Sequence, residues 1–440
     1  MTSTRETRPA LDLPPGEASP AEVRAVLQRY GSNADSFQAG LSYHRRLYFG
    51  EQGVVACARI GRVTVVAGDP VAPPGGLLPL VAALRSALPG PVAVVSASEQ
   101  VRDELAADGW GWVKVGEEPY WEPGRWSLDG KAAANVRHAV NAARRKDLRV
   151  EQTGSGQPGW DEDLTAMRAV AEAWSGTHET RPLEFLLTLA PFERPEDRRY
   201  FVAREPSGRI VAFLAAVPIW ARDGWYFQDF VRLPDAPNGV NELLFHEAMQ
   251  AMQAMGARLV TLGAAPLAGL DKEEPQRPWI HRVLRFAYEH LDAFYHFQTL
   301  SGYKAKYAPH WWEPKYLVFH PRRLRARVLF AVLKAYDPRG ATRLVLSRLA
   351  EGLREELAID PDTGRPRVVG HALRLPGLLL QQDLLVAVAL ALAIGSGIGI
   401  VADHLRRSFD DVYVATLSSL IAASLTVALL HARARHEANP

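Results

Sequence analysis

The stretch Asp223–Pro266, DGWYFQDFVRLPDAPNGVNELLFHEAMQAMQAMGARLVTLGAAP, constrains what this chain can fold into more than any other. Trp225 to Val231 is an aromatic, apolar run with the composition of a buried strand. Leu233 to Gly239 interrupts it with two prolines, an Asn and a Gly, the residues of a turn. From Val240 to Met255 the apolar residues take helical spacing, with Leu244, Ala248, Ala251 and Met255 on one face. Gly256 closes that helix, and Arg258 to Leu262 predicts the next strand. Strand, loop, helix, strand is a unit whose helix start offers backbone N–H groups to an anion, which makes Asn238 and Gly239 candidate binding residues.

The segments before it predict a mixed α/β or α+β protein. Ser19-Pro20 with Glu22 opens a helix to Tyr30, and strands around Gly53–Ile60 and Val63–Ala67 flank a Gly61-Arg62 hairpin turn. Helices at Leu77–Leu88 and Glu99–Asp108 bracket a strand at Val92–Ser96. A helix at Leu164–Trp174 and strands at Tyr200–Arg204 and Ile210–Val217 then lead into the organising unit. The order of elements in 21–130 and 160–320 is similar enough to suggest a duplicated fold, without a residue-level repeat. A further helix is expected around Ile280–His290. In Tyr303–Tyr307 the alternation of Tyr303, Ala305 and Tyr307 with Lys304 and Lys306 predicts a strand carrying both lysines on one face.

Net charge is only +2, yet the charge is unevenly placed. Residues 131–149 carry Lys131, Arg137, Arg144, Arg145, Lys146 and Arg149 against one acid, in an Ala-rich helical context. Such a cluster is either a solvated helix face or a contact for a phosphate backbone. Residues 321–350 hold eight Lys/Arg against one acid, interleaved with Leu and Val, the pattern of a basic amphipathic element at a membrane surface. Leu384–Ala402 and Val412–Leu430 are uncharged runs of nineteen residues each, close to the roughly 20 needed to cross a bilayer, joined by DHLRRSFDD. They predict a transmembrane hairpin at 384–430, a C-terminal anchor with Gly395 and Gly399 spaced for close packing. The first twenty residues have no apolar core of a secretory signal and predict a disordered leader. The catalytic part is therefore expected on the cytoplasmic side of the cell membrane.

The single cysteine, Cys57, excludes an internal disulfide and is expected as a small core residue. HExxH, clustered Cys/His, Walker A, nucleophile-elbow and dinucleotide-loop motifs are all missing, so neither a metal nor a cofactor is expected. What remains is transferase-like: Asp229 and Arg232 where a strand meets its loop, and Lys304 and Lys306 nearby. Because Leu233-Pro234 should end the strand, Arg232 is expected to turn into the site beside Asp229.

The motifs VVAGDPVAPP (65–74), KVGEE (114–118) and WSLDGKAAANVRHAVNAARR (126–145) follow one another in the order of a known family. GRIVAFLAAVP (208–218), DFVRLPDAPNGVNELLF (229–245), LGAAPLAGL (262–270) and FQTLSGYKAKYAPHWWEPKYL (297–317) continue that order. Over Tyr30 to His320 the chain resembles the catalytic domain of bacterial phosphatidylglycerol lysyl- and alanyl-transferases. The resemblance implies two tandem GNAT-like acyltransferase domains, at 21–130 and 151–320, joined by a basic helix at 131–150. A basic membrane-surface region and linker at 321–375 would follow.

The resemblance also implies aminoacyl transfer from aminoacyl-tRNA to phosphatidylglycerol or a related lipid. Asp229, Arg232 and Lys304 would be catalytic, and Lys306, Asn238, Gly239, Lys131, Arg137, Arg144 and Arg145 would bind substrate. Larger members carry many transmembrane helices ahead of the catalytic part; this chain shows none there, so no translocating half is expected. DFVR departs from the commoner D-L-M-R at its middle positions, which keeps the charged pair. Two rival readings are an acyl-CoA-dependent acyltransferase, for which Gly239 alone makes a poor pyrophosphate loop, and a non-enzymatic membrane-tethered protein that binds RNA or lipid.

Overall fold

The computed structural model describes residues 16–17, 19–41, 44–176, 185, 190–270 and 297–336. The described residues up to 324, with 331–336, form one compact unit, and 325–330 belong to a second. The expected helix at 280–290 and the expected membrane hairpin at 384–430 lie outside the described residues. Among the described residues no helix is long and apolar enough to cross a membrane.

The first half opens with β1 (Gly16–Glu17) and α1 (Pro20–Tyr30), capped reciprocally by Ser19 and Glu22. A 3₁₀ turn, Ala34–Gly40, leads to β2 (Arg45–Tyr48), β3 (Val54–Ile60) and β4 (Val63–Ala67). Then come α2 (Leu77–Ala87), β5 (Val92–Ala97), α3 (Glu99–Ala107) and β6 (Gly111–Trp121). The second half runs α4 (Ala134–Arg144), β7 (Arg149–Thr153), α5 (Trp160–Gly176), β8 (Arg199–Arg204) and β9 (Ile210–Ile219). It continues with β10 (Gly224–Arg232), α6 (Val240–Ala254), β11 (Leu259–Thr261) and β12 (Ala265–Pro266). It ends with α7 (Phe297–Ala305), β13 (Trp311–His320) and α8 (Ala326–Tyr336).

All the described strands share one mixed sheet in the order β1-β2-β3-β4-β5-β13-β6-β11-β10-β9-β8-β7, with β12 on β6. Among the described strands only β4–β5 and β10–β11 pair in parallel, and each of these pairs is connected through a helix, α2 or α6. A parallel neighbour cannot be reached by a tight turn, so the apolar helix after each strand is what makes the pair possible. Each half thus repeats an antiparallel meander, a helix and a parallel strand. The closing strands are exchanged. β6 closes on β11, β13 closes on β5, and the two pair with each other over most of their length. This exchange makes the middle of the sheet a shared structure that neither half completes alone.

The helix expected over 131–149 is shorter than its composition suggested. Lys131 lies in a turn before it and Arg149 starts β7, paired with Arg204. Val136, Val140 and Ala143 bury one face of α4 against the core. The expected strand through Tyr303–Tyr307 is instead the end of α7 and the turn after it. Five alternating residues fit either period, and here Tyr303 and Tyr307, four apart, meet edge to face with centroids 5.6 Å apart. Cys57 is buried in β3, and burial pushes its thiol up to about 11, in keeping with a core residue.

Candidate functional site

Charged side chains sit inside the central strands where apolar ones are the rule. Glu118 on β6 and Lys315 on β13 are buried and form an ion pair of 2.6 Å. Burial alone would lower the Lys315 pKa; Glu118 and the other acids around it hold it well above the ordinary value. Thr261 Oγ1 donates to Glu118 Oε1 at 2.8 Å and accepts from Gly263 N–H at 2.9 Å. Lys304 Nζ donates to the carbonyls of Gly263 and Ala264 at 2.8 and 2.7 Å. The loop after β11 is therefore held from both sides, with Gly263 at φ +73. Burial pulls Lys304 down to about 8, against the pull of Glu118 and Asp35.

The 3₁₀ turn Ala34–Gly40 covers this region. Its Asp35 lies against Gly68, where a Cβ would come within 2.6 Å of the Asp35 Cβ. Asp69, next in the loop after β4, accepts from Asn33 Nδ2 and from Ser98 N–H, both at 2.8 Å, and so ties the turn to the start of α3. Phe37 from the same turn supports the Arg198 guanidinium, 5.0 Å from its ring centroid. Arg198 faces Asp229 at 3.7 Å and donates to the carbonyls of Glu193 and Ala190 at 2.8 and 2.9 Å. Burial raises Asp229 to about 6, and Arg198 offsets only part of that. Its Oδ2 accepts no hydrogen bond. A shift in register between Phe227 and Asp229 leaves Gln228 as an extra residue and aims Asp229 toward Arg198.

Of the residues expected to act together, Lys304 lies with Glu118 and Asp35, and Asp229 lies with Arg198; the turn that carries Asp35 also carries Phe37, which lies under Arg198. Arg232 does not join them. The strand runs through it, paired with Ala212, and three residues beyond Asp229 it points to the opposite face and is exposed. Lys306 is on that other side as well, paired with Glu242 at 2.6 Å and 3.8 Å above the Tyr303 ring, so the two lysines share no face. Gly239 has a packing reason: at φ +90, a Cβ would meet Ala139 O of α4 at 2.2 Å. Asn238 is exposed beside it. Around α4, Arg137 donates to the Gly130 carbonyl at 3.0 Å, Arg144 pairs with Glu247 at 2.8 Å, and Lys131 and Arg145 are exposed.

Residue reading passed over Asp35, Ser96, Glu118, Arg198 and Lys315. For Glu118 and Lys315 the signal was a charge placed within an apolar strand, as in KVGEEPYW and WEPKYLVF; Asp35, Ser96 and Arg198 had no such signal. Among the described residues no group of His, Cys, Asp and Glu is arranged to hold a metal ion.

Comparison with known proteins places the chain. It is 26% identical over 329 residues to the phosphatidylglycerol lysyltransferase of Bacillus subtilis (strain 168), covering 73% of this chain and 37% of that protein. It is 24% identical over 324 residues to the lysylphosphatidylglycerol biosynthesis bifunctional protein LysX of Gordonia bronchialis, covering 71% and 28%. The chain thus spans about a third of the length of the curated relatives it matches. Its fold is that of L-PGS from Bacillus licheniformis, with a TM-score of 0.61 at 23% identity over 73% of this chain and 98% of the other. A C-terminal domain from Agrobacterium fabrum aligns with a TM-score of 0.59 at 23% identity, over 72% and 95%. The model of the phosphatidylglycerol lysyltransferase C-terminal family matches residues 24–319, and the chain belongs to that family.

Proposed function

We propose that this protein transfers an aminoacyl group from aminoacyl-tRNA to phosphatidylglycerol or a closely related membrane lipid. The observation that carries the reading, beside the family, is the set of buried charges around the 3₁₀ turn, Asp229 and Lys304 among them, held at fixed positions in a dry environment. Burying this many charges is costly, and a purely structural or tethering protein gains nothing from it. In the reaction the lipid hydroxyl attacks the ester carbonyl carbon and a new C–O bond forms. The bond to the tRNA ribose oxygen breaks, and the proton of the lipid hydroxyl ends on that oxygen. The donor ester is already activated, so positioning and stabilisation of the developing oxyanion do most of what is needed.

Lys304, with two N–H groups committed to carbonyls and one left, supplies positive charge at the oxyanion. Asp229 lines the aminoacyl pocket, its Oδ2 facing Arg198 without a hydrogen bond. Arg232 and Lys306, on the opposite face with Asn238 and Gly239 nearby, contact the phosphates of one of the two large substrates. The exposed cations Lys131 and Arg145, flanked by Arg137 and Arg144, receive the tRNA acceptor stem. The repeated meander–helix–strand order supports two tandem GNAT-like domains, at 21–130 and 151–320. The amphipathic α8, with Arg327 and Lys334 exposed and Phe330 39% exposed, supports a basic surface facing anionic lipid in 321–375. The apolar runs at 384–430 then anchor the chain in the cell membrane, with the catalytic part cytoplasmic. Gly239 is occupied by its contact with α4, which speaks against an acyl-CoA cradle.

The test is incubation of the purified full chain with labelled aminoacyl-tRNAs and phosphatidylglycerol vesicles. Label is expected in the lipid phase with at least one amino acid; none across the common amino acids refutes the reading.

A further inference from the structure

Buried polar atoms in folded proteins are almost always hydrogen-bonded, so those that are not point to something that binds there. Ser96 Oγ on β5 and Tyr120 OH on β6 are buried and unpartnered, and Asp229 Oδ2 on β10 has only the Arg198 guanidinium, at 3.7 Å and without a hydrogen bond. Ser96 is also strained. At φ +62 it holds the left-handed backbone that a non-glycine residue rarely adopts, at the end of β5. Its hydroxyl lies beside the Asp35 carboxyl without completing a hydrogen bond of normal geometry.

The charges around these atoms do not balance. Lys315 is committed to Glu118 at 2.6 Å, and Lys304 to two backbone carbonyls. Asp69 is satisfied by Asn33 and Ser98 N–H, and Asp229 has Arg198. Among the described residues neither Asp35 nor Asp69 forms an ion pair, and Asp69, unlike Asp35, has two N–H donors of its own. Burial, only partly offset by Lys315, raises it to about 6. A carboxylate, an unpartnered hydroxyl and the neighbouring acids Glu118 and Asp69 repel an anion and suit a compact cation with several N–H donors. Lys304 feels Asp35 directly, and Phe37, two residues along the same turn, lies under the Arg198 that faces Asp229.

We propose that Asp35, with the Ser96 hydroxyl beside it, receives the α-ammonium group of the aminoacyl donor. The proposal rests on the aminoacyl-transfer reading and deepens it. It assigns recognition of the amino group to the first half of the chain and the ester carbonyl to Lys304 of the second.

The experiment compares two donors on the full chain with phosphatidylglycerol vesicles. One is an aminoacyl-tRNA the wild type uses; the other is the same tRNA carrying the α-hydroxy analogue, which lacks the ammonium. Wild type is expected to prefer the ammonium donor in kcat/KM by about 10–100-fold, the range for a hydrogen bond to a charged group. Asp35→Asn should bring the two donors within about threefold by slowing the ammonium donor alone, and Ser96→Ala should lose about three- to tenfold on that donor only. Asp229→Asn should slow both donors alike. If circular dichroism shows Asp35→Asn unfolded, Ser96→Ala decides. Wild-type discrimination retained in the folded variants, or equal loss on both donors, overturns the proposal. A wild type inactive with every aminoacyl-tRNA refutes the functional reading itself.

Discussion

Lys315 and Glu118 face each other across β13 and β6 with Nζ and Oε2 2.6 Å apart, their side chains 2% and 1% exposed. The pair joins strands from the two halves of the chain. Removing one partner leaves an uncompensated buried charge, which costs about 3–5 kcal/mol, whereas removing both costs much less. Lys315→Met is therefore expected to lose about 3–5 kcal/mol, and Lys315→Met with Glu118→Gln to recover at least half of it. Denaturant unfolding of the two variants checks this. Equal stability of the single and double variants would contradict it.

Asp229 is held at about 6, above its ordinary value, chiefly by burial. The folded state binds this proton more tightly than the unfolded state. Its contribution to stability is thus complete below about pH 4 and lost as pH rises through about 6. Asp229→Asn should be more stable than wild type at pH 8, by on the order of 1–3 kcal/mol, with no such gain at pH 4. Arg198 keeps its carbonyl partners in that variant. Melting curves at the two pH values measure it, and transfer activity should fall in the same protein.

Lys304 has the opposite sign, with burial lowering it to about 8. If its ammonium form stabilises the oxyanion, transfer declines as pH rises through about 8, and Lys304→Met lowers the rate by about 100-fold or more and removes that limb. A pH–rate profile of both proteins is the measurement. A limb that survives the substitution belongs to another group.

Gly239→Ala places a Cβ 2.2 Å from Ala139 O at a φ of +90. Strain in the left-handed region and the separation of α6 from α4 should together cost more than about 1–2 kcal/mol. A drop in melting temperature of several degrees is expected, and an unchanged value would argue against the close approach.

Lys131→Ala and Arg145→Ala should raise KM for aminoacyl-tRNA, leave kcat within about twofold, and each reduce the log–log salt slope by about 1 if a phosphate contact is lost. Kinetics over a salt series decide it. A fall in kcat with no change in slope would place these cations outside the tRNA contact.

Local pattern alone determined most elements of this fold. The capping residues Ser19 and Glu22, the hairpin at Gly61, and the strand–loop–helix–strand from Gly224 to Thr261 depend on neighbours within a few residues, so short-range chemistry is enough to place them. Motif order was enough to find the family. The period of Tyr303–Tyr307 was ambiguous in five residues, and only the packing of Tyr307 on Phe245, with ring centroids 4.1 Å apart, shows why the helical form prevails.

Tertiary structure decided which charges act together. Asp229 and Arg232 are close in sequence yet point to opposite faces, because a paired strand alternates to its last residue. Asp35, Glu118, Lys304 and Lys315 are separated by up to 280 residues in number, and Glu118 and Lys315 meet because β6 and β13 pair across the halves. A long-range strand exchange leaves no mark on local periodicity. What the chain does show is its consequence: charges inside strands that would otherwise be wholly apolar.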